Sequence, residues 1–193
     1  MKLFNWDSFL EECALWLRAI FIRPNYETPV AQEPMNQPPE PVNEYEGPRA
    51  ESILIPANEL LAETAQLWIG KDASPKNRAP KELSCAEGVV NIVNQAFPGT
   101  LHPDIVGTDA LDLALRRSKR FKPVLDPAQG CIEVSPRTAT VNGHCGIYVY
   151  NDKIASNDSR TGKFQINYTR QTWRDYFIKK KGLKAHLFLP VDL

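Results

Sequence analysis

Cysteine is scarce in this chain: 193 residues hold four, scattered at positions 13, 85, 131 and 145. They form no CxxC pairs, so neither a zinc site nor a disulfide framework is indicated and reduced thiols are expected. Histidine is scarcer still, and the three at 102, 144 and 186 never fall at HxxxH or similar ligand spacing. No metal or cofactor is therefore expected. Net charge is also missing, with 23 basic against 23 acidic side chains. Residues 1–50 carry a net of minus four and the remainder plus four, a balance too mild to argue for nucleic acid. Uninterrupted apolar runs of spanning length are lacking as well. Residues 3–22 come nearest, but Asp7, Glu11, Glu12 and Arg18 interrupt them. Those charges make a membrane span costly, and with no small-residue cleavage site after them a secretory signal is not expected either.

What is present divides the chain into three parts. Residues 1–22 read as an amphipathic helix, with Trp6, Phe9, Leu10, Cys13, Trp16, Leu17, Ile20 and Phe21 on one face. Such a helix docks on a protein partner, lies in a membrane interface, or packs back on its own domain; its acidic content favours the protein partner. Residues 23–50 hold seven prolines and five glutamates and read as an extended linker. Residues 51–193 then carry the apolar content of a globular domain, 42% over the whole chain.

Within that domain helices come first. One is expected to start at a cap on Asn58, run through Leu60, Leu61, Thr64, Leu67 and Trp68, and end at Gly70. Residues 71–83 form a loop, a second helix starts at Cys85 and stops at Phe97-Pro98-Gly99, and Thr108 caps a third that reaches about Lys119. Strands dominate from Val124 onwards, broken by a short helix at Trp173–Ile178. The last strand, Ala185 to Leu189, is apolar enough to be central or covered on both faces. The fold class is thus α+β, helices packed on an antiparallel sheet. A cluster of Lys179, Lys180, Lys181 and Lys184 follows the short helix and reads as a solvated turn, or as weak attraction to anionic polymers.

Cys85 stands where chemistry would want a thiol. Ser84 as N-cap and Glu87 three residues later form the pattern of a capping box, so Cys85 falls at the first helical position. Unpaired backbone N–H groups and the positive end of the helix dipole favour thiolate there. The plainer alternative is a small half-buried residue at a helix start. Some sixty residues on, Gly143-His144-Cys145-Gly146-Ile147-Tyr148-Val149-Tyr150, then Asn151-Asp152, then Lys153-Ile154-Ala155-Ser156-Asn157-Asp158 read as a β-hairpin. With a two-residue loop, Tyr150 opposes Lys153 and Gly146 opposes Asn157, which puts His144 and Asn157 on one face. A three-residue loop or a bulge would select Ser156 or Asp158 instead. Cys131 and Cys145 read as small strand residues, and His102 and His186 as structural.

A thiol at a helix start, an imidazole on a strand and a polar residue on the next strand are the parts of a cysteine hydrolase. The imidazole takes the thiol proton and later protonates the leaving amine. The third residue holds the ring's tautomer and orientation. The N–H of Cys85 supplies part of an oxyanion hole.

Cys85-Ala86-Glu87-Gly88-Val89-Val90, Gly130-Cys131-Ile132-Glu133-Val134 and Gly143-His144-Cys145-Gly146-Ile147 together resemble the papain-like CHAP and NlpC-type peptidases of bacterial cell walls. The stretch 153–162, with Asn167-Tyr168-Thr169 and Trp173 after it, is similar to a bacteriophage-encoded branch of that group. The resemblance covers roughly residues 56–189. It implies a papain-like domain and a catalytic triad of Cys85, His144 and Asn157 that cleaves amide bonds in peptidoglycan stem peptides. The chain departs from the pattern at Cys131, where an aspartate often stands, and at Cys145, where valine commonly follows the histidine. Aligned to the NlpC pattern by distance from the histidine, the third residue is Ser156. The expectation is a peptidoglycan hydrolase, amidase or endopeptidase, acting from a phage virion or in the host cell envelope after release. The competing class is a non-catalytic virion or lysis-complex protein that retains the fold, for which the tethered aromatic helix speaks.

Overall fold

The computed structural model describes residues 55–193 apart from Asn77; the helix expected over 1–22 and the linker over 23–50 lie outside the described residues. Among the described residues four α-helices form, the first three where apolar residues recur at helical spacing: α1 (Ala57–Leu67), α2 (Cys85–Ala96), α3 (Thr108–Arg117) and α4 (Arg170–Trp173). A 3-10 turn, Lys81–Leu83, precedes α2, and a π-helix, Arg174–Lys180, continues α4. The six strands are β1 (Phe121–Val124), β2 (Ile132–Ser135), β3 (His144–Tyr150), β4 (Lys153–Asn157), β5 (Phe164–Thr169) and β6 (His186–Pro190). All pairings are antiparallel, in the order β1-β6-β2-β3-β4-β5. The class is α+β.

Side chains alternate across the sheet, and both faces of its centre are covered. On one face Cys145, Ile147 and Val149 of β3 meet Leu61 of α1, Val89 and Val93 of α2, and Leu111 and Leu115 of α3. On the other, Tyr148 and Ile154 meet Trp173, Phe177 and Leu183 around α4 and the π-helix. Each fully buried side chain of this kind contributes about 1.5–3 kcal/mol. The sheet starts at Phe121, earlier than the Val124 expected, because β1 is an edge strand where Pro123 lacks no needed donor. The last strand is interior, between β1 and β2, and starts at His186, whose Nδ1 lies 2.8 Å from Asp112 Oδ1 of α3.

Two helix starts differ from their expected caps for the same reason: a distant partner takes over the local role. At α1 the residue before the helix is Pro56, and the orphan N–H of Ala57 donates to Asp192 Oδ1 at 2.9 Å. Asn58 sits inside the helix and donates instead to Gln129 O at 3.2 Å. At α3 the cap position is Gly107, and Thr108 Oγ1 accepts from Arg137 N at 3.0 Å. The short helix is longer than expected and starts with a capping box between Thr169 and Thr172.

Candidate active site

The approach to Cys85 is built differently from a capping box. The 3-10 turn leaves Ser84 at φ −82° and ψ 10°, away from the extended backbone of an N-cap, and its hydroxyl donates back to Lys81 O at 2.9 Å. Glu87 is fully buried; its carboxylate accepts from Ala79 N at 3.3 Å and pairs with Arg78 Nε at 3.4 Å, so it anchors the incoming loop. Cys85 still occupies the first turn of α2. The helical ladder starts with Gly88 N donating to Ser84 O at 2.9 Å, so the N–H of Cys85 precedes it.

The hairpin decides which residue meets the imidazole. Its loop is the expected pair, with Asn151 at φ 46° and Tyr150 opposite Lys153. One step in, however, Tyr148 pairs with Ile154 and Ile147 with Ala155, so a bulge at Val149 shifts the register by one residue. That shift turns Ser156 to the face of His144, and His144 Nε2 lies 3.0 Å from Ser156 Oγ. Asn157, expected as the orienting residue, points to the opposite side. Its Nδ2 donates to Lys81 O at 2.9 Å and to Ser84 Oγ at 2.8 Å, which staples β4 to the start of α2. Asp158 is turned to its own loop, where Oδ1 accepts from Arg160 N and Thr161 N.

A second irregularity, in the β4–β5 pairing, supports Ser156 from behind. The register slips between Ile154 and Ala155, leaving Asn167 as the extra residue of β5. Asn167 Nδ2 donates to Ser156 O at 3.0 Å and to Ser156 Oγ at 3.1 Å. Gly146 makes room for this arrangement: a Cβ there would lie 2.7 Å from Ala155 O and 3.1 Å from Ser156 Cβ. The imidazole is further held by aromatic rings. Phe177 stacks on it at 5.2 Å and 16°, Trp173 lies 5.5 Å away, and Tyr168 approaches edge-on at 5.5 Å. Such close packing restricts rotation of the ring.

Cys85 is held well below the ordinary thiol range. The largest cause is the hydrogen bond from the Cys145 thiol, opposed by burial and reinforced by the charge and hydrogen bond of His144 and by the Cys145 N–H. With Nε2 given to Ser156, Nδ1 is the ring nitrogen left for the thiol. Cys145 moves the opposite way, pushed up by burial and by Cys85, so it stays a protonated donor. The arrangement sets a depressed thiol beside an imidazole, which are the parts of a nucleophile and its proton carrier.

Compared with known proteins, the chain matches no family model, no curated protein and no solved structure. The pair opens on a cleft of about 900 Å³ that also reaches Arg78, Thr108, Arg137, Asn157, Tyr176 and Lys181. Among the described residues no group of three His, Cys, Asp or Glu side chains is gathered to hold a metal ion. No described helix is long and apolar enough to cross a membrane. His102 lies exposed in its loop, with Nδ1 3.7 Å from Asp104 Oδ2 at the cleft wall, but is not itself a lining residue.

Sequence reasoning brought Cys85 and His144 together and ranked Asn157 above Ser156. It named Asn167, Tyr168 and Trp173 as motif residues without placing them beside His144, and it missed Phe177 and the role of Cys145. Asn167 and the rings are far from His144 in sequence, so nothing local tied them to it. Cys145 did carry a local signal, as the residue beside the histidine where valine is usual.

Proposed function

We propose that this protein is a papain-like cysteine amidohydrolase that cleaves amide bonds in bacterial peptidoglycan peptides, of the phage-encoded kind, working from the virion or in the host envelope after release. The observation that carries the reading is the pairing of a depressed, helix-start thiol with an imidazole whose far nitrogen is bonded to Ser156. Cys85 attacks the amide carbonyl, and the developing oxyanion is met by the Cys85 N–H at the head of α2. His144 Nδ1 gives its proton to the departing amine. It then draws a proton from water, whose oxygen displaces the acyl group from sulfur and restores the thiolate. Ser156 accepts from Nε2–H while the ring is cationic, and Asn167 steadies Ser156. Ser156 thus takes the orienting role that Asn157 was expected to fill.

The test compares wild type, Cys85→Ser and His144→Ala on purified cell walls, following released amines. Release by wild type and loss of about 10²-fold or more in His144→Ala are expected. Equal release from all three overturns the mechanism. Absence of release from wild type, with the protein found in virions, favours the non-catalytic structural role. Mass spectrometry of the released fragments distinguishes a stem-peptide endopeptidase from an amidase at the sugar–peptide junction.

A further inference from the structure

The cleft beside Cys85 is lined by four permanently cationic side chains, and three are already paired. Arg78 Nη1 lies 2.8 Å from Asp104, Arg137 Nε lies 2.8 Å from Asp109, and Arg160 Nη2 lies 3.8 Å from Asp158. Lys181 has no acidic partner among the described residues. The residue is half-buried, and its ammonium lies instead 4.9 Å from the Tyr176 ring centre and 5.4 Å from that of Phe177. Phe177 is the ring stacked on His144, so the cation and the imidazole proposed as catalytic neighbour the same aromatic ring. Holding the ammonium near two rings places the charge without neutralising it. The adjacent Lys179, by contrast, is committed to Asp175 at 2.7 Å. Asp104 and Asp109 on the cleft wall are taken by those arginines, and the third carboxylate there, Asp158, is not free to answer Lys181 either. Two backbone N–H groups, at 2.9 and 2.8 Å, and the Arg160 guanidinium already engage it.

We infer that Lys181 forms a carboxylate subsite, so that the enzyme takes acidic peptides and pairs Lys181 with a carboxylate carried close to the scissile amide. This rests on the hydrolase reading above and adds a specificity to it. An ammonium flanked by rings gains from an anion what it cannot gain from a neutral amide of the same shape. The carboxylate belongs either to an acidic side chain or to the peptide's C-terminus, and the chemistry at Lys181 is the same for both.

The experiment uses the full chain carrying Cys85→Ala, which can bind without cutting. The probe is a soluble stem peptide in four forms: free acid, side-chain amide, C-terminal amide, and both amidated. Calorimetry is expected to show about tenfold weaker binding when one particular carboxylate is amidated, which identifies its source. Adding Lys181→Met should weaken the free acid by the same factor and leave that amide unchanged, while Lys181→Arg restores most of the affinity. Equal weakening of acid and amide, no change, or no binding of any form overturns the subsite. Charge-selective binding in a protein whose wild type cleaves nothing overturns the hydrolase reading alone.

Discussion

Replacing Cys145 with valine removes the thiol donor facing Cys85 while nearly preserving volume in a fully buried position. Cys145 contributes the largest lowering of the Cys85 titration, ahead of His144. A hydrogen bond to a charged group is worth about 1.5–3 kcal/mol, and a thiol is a weak donor, so the lower end applies. About 1.4 kcal/mol is a tenfold change in an equilibrium, which here is the fraction of Cys85 present as thiolate below its titration midpoint. Alkylation of Cys85 by iodoacetamide, followed by mass spectrometry across pH, should therefore slow about tenfold in Cys145→Val at a pH below the midpoint. The rates should converge at high pH. Cys145→Ser, which keeps a donor, should stay close to wild type. Linkage gives a second readout. A thiol depressed by folding stabilises the fold fully above its unfolded range, near 8.5, and that contribution fades as pH falls towards the folded value. Cys145→Val should shrink the fade. An unchanged alkylation profile in a folded Cys145→Val protein refutes the assignment of Cys145 as the thiolate's donor.

Ser156→Ala is expected to lower kcat by up to about a hundredfold with little loss of stability, because the ring loses its orienting partner. Asn157→Ala should do the reverse, costing about 1–3 kcal/mol in urea unfolding by removing the two bonds that staple β4 to the start of α2, with kcat kept within a few-fold. If the two variants exchange phenotypes, the register described for the hairpin is refuted. Gly146→Ala would drive a Cβ to 2.6 Å from Ile154 Cγ2 and should lose about 1–3 kcal/mol in the same assay, and an unchanged midpoint speaks against the close approach. Burial raises the Glu133 carboxyl against the pull of the Tyr148 hydroxyl, 2.6 Å away, and of Arg170 and Arg174. The folded state thus holds that proton to higher pH than the unfolded chain, and stability declines as pH rises through the folded value. Glu133→Gln keeps an acceptor for Tyr148, so its Tm should gain on wild type as pH rises from the ordinary carboxyl range, about 4.3, through the folded titration; a constant gap contradicts this.

The α+β class was legible because helical and period-two patterns are local properties of the chain, and the two-residue loop at Asn151-Asp152 was legible because positive φ favours such residues. The position of Cys85 at a helix start was legible for the same reason. The caps around it were not. Ser84 and Glu87 match a capping box letter for letter, yet Asn157 and the Arg78 loop compete for their side chains from far along the chain. The same competition displaced Asn58 and Thr108 from their expected roles.

From its residues alone the chain established a helix-start thiol, a strand histidine and a short list of polar partners on the following strand. Tertiary structure alone chose among those partners. A strand reverses its facing with every residue, so a bulge at Val149 exchanged Asn157 for Ser156 at the imidazole. A second slip brought Asn167 behind Ser156, and the packing of β3 on α2 set the Cys145 thiol against Cys85. None of these outcomes is written in local periodicity, because each depends on which distant backbone and side-chain groups win a given hydrogen bond.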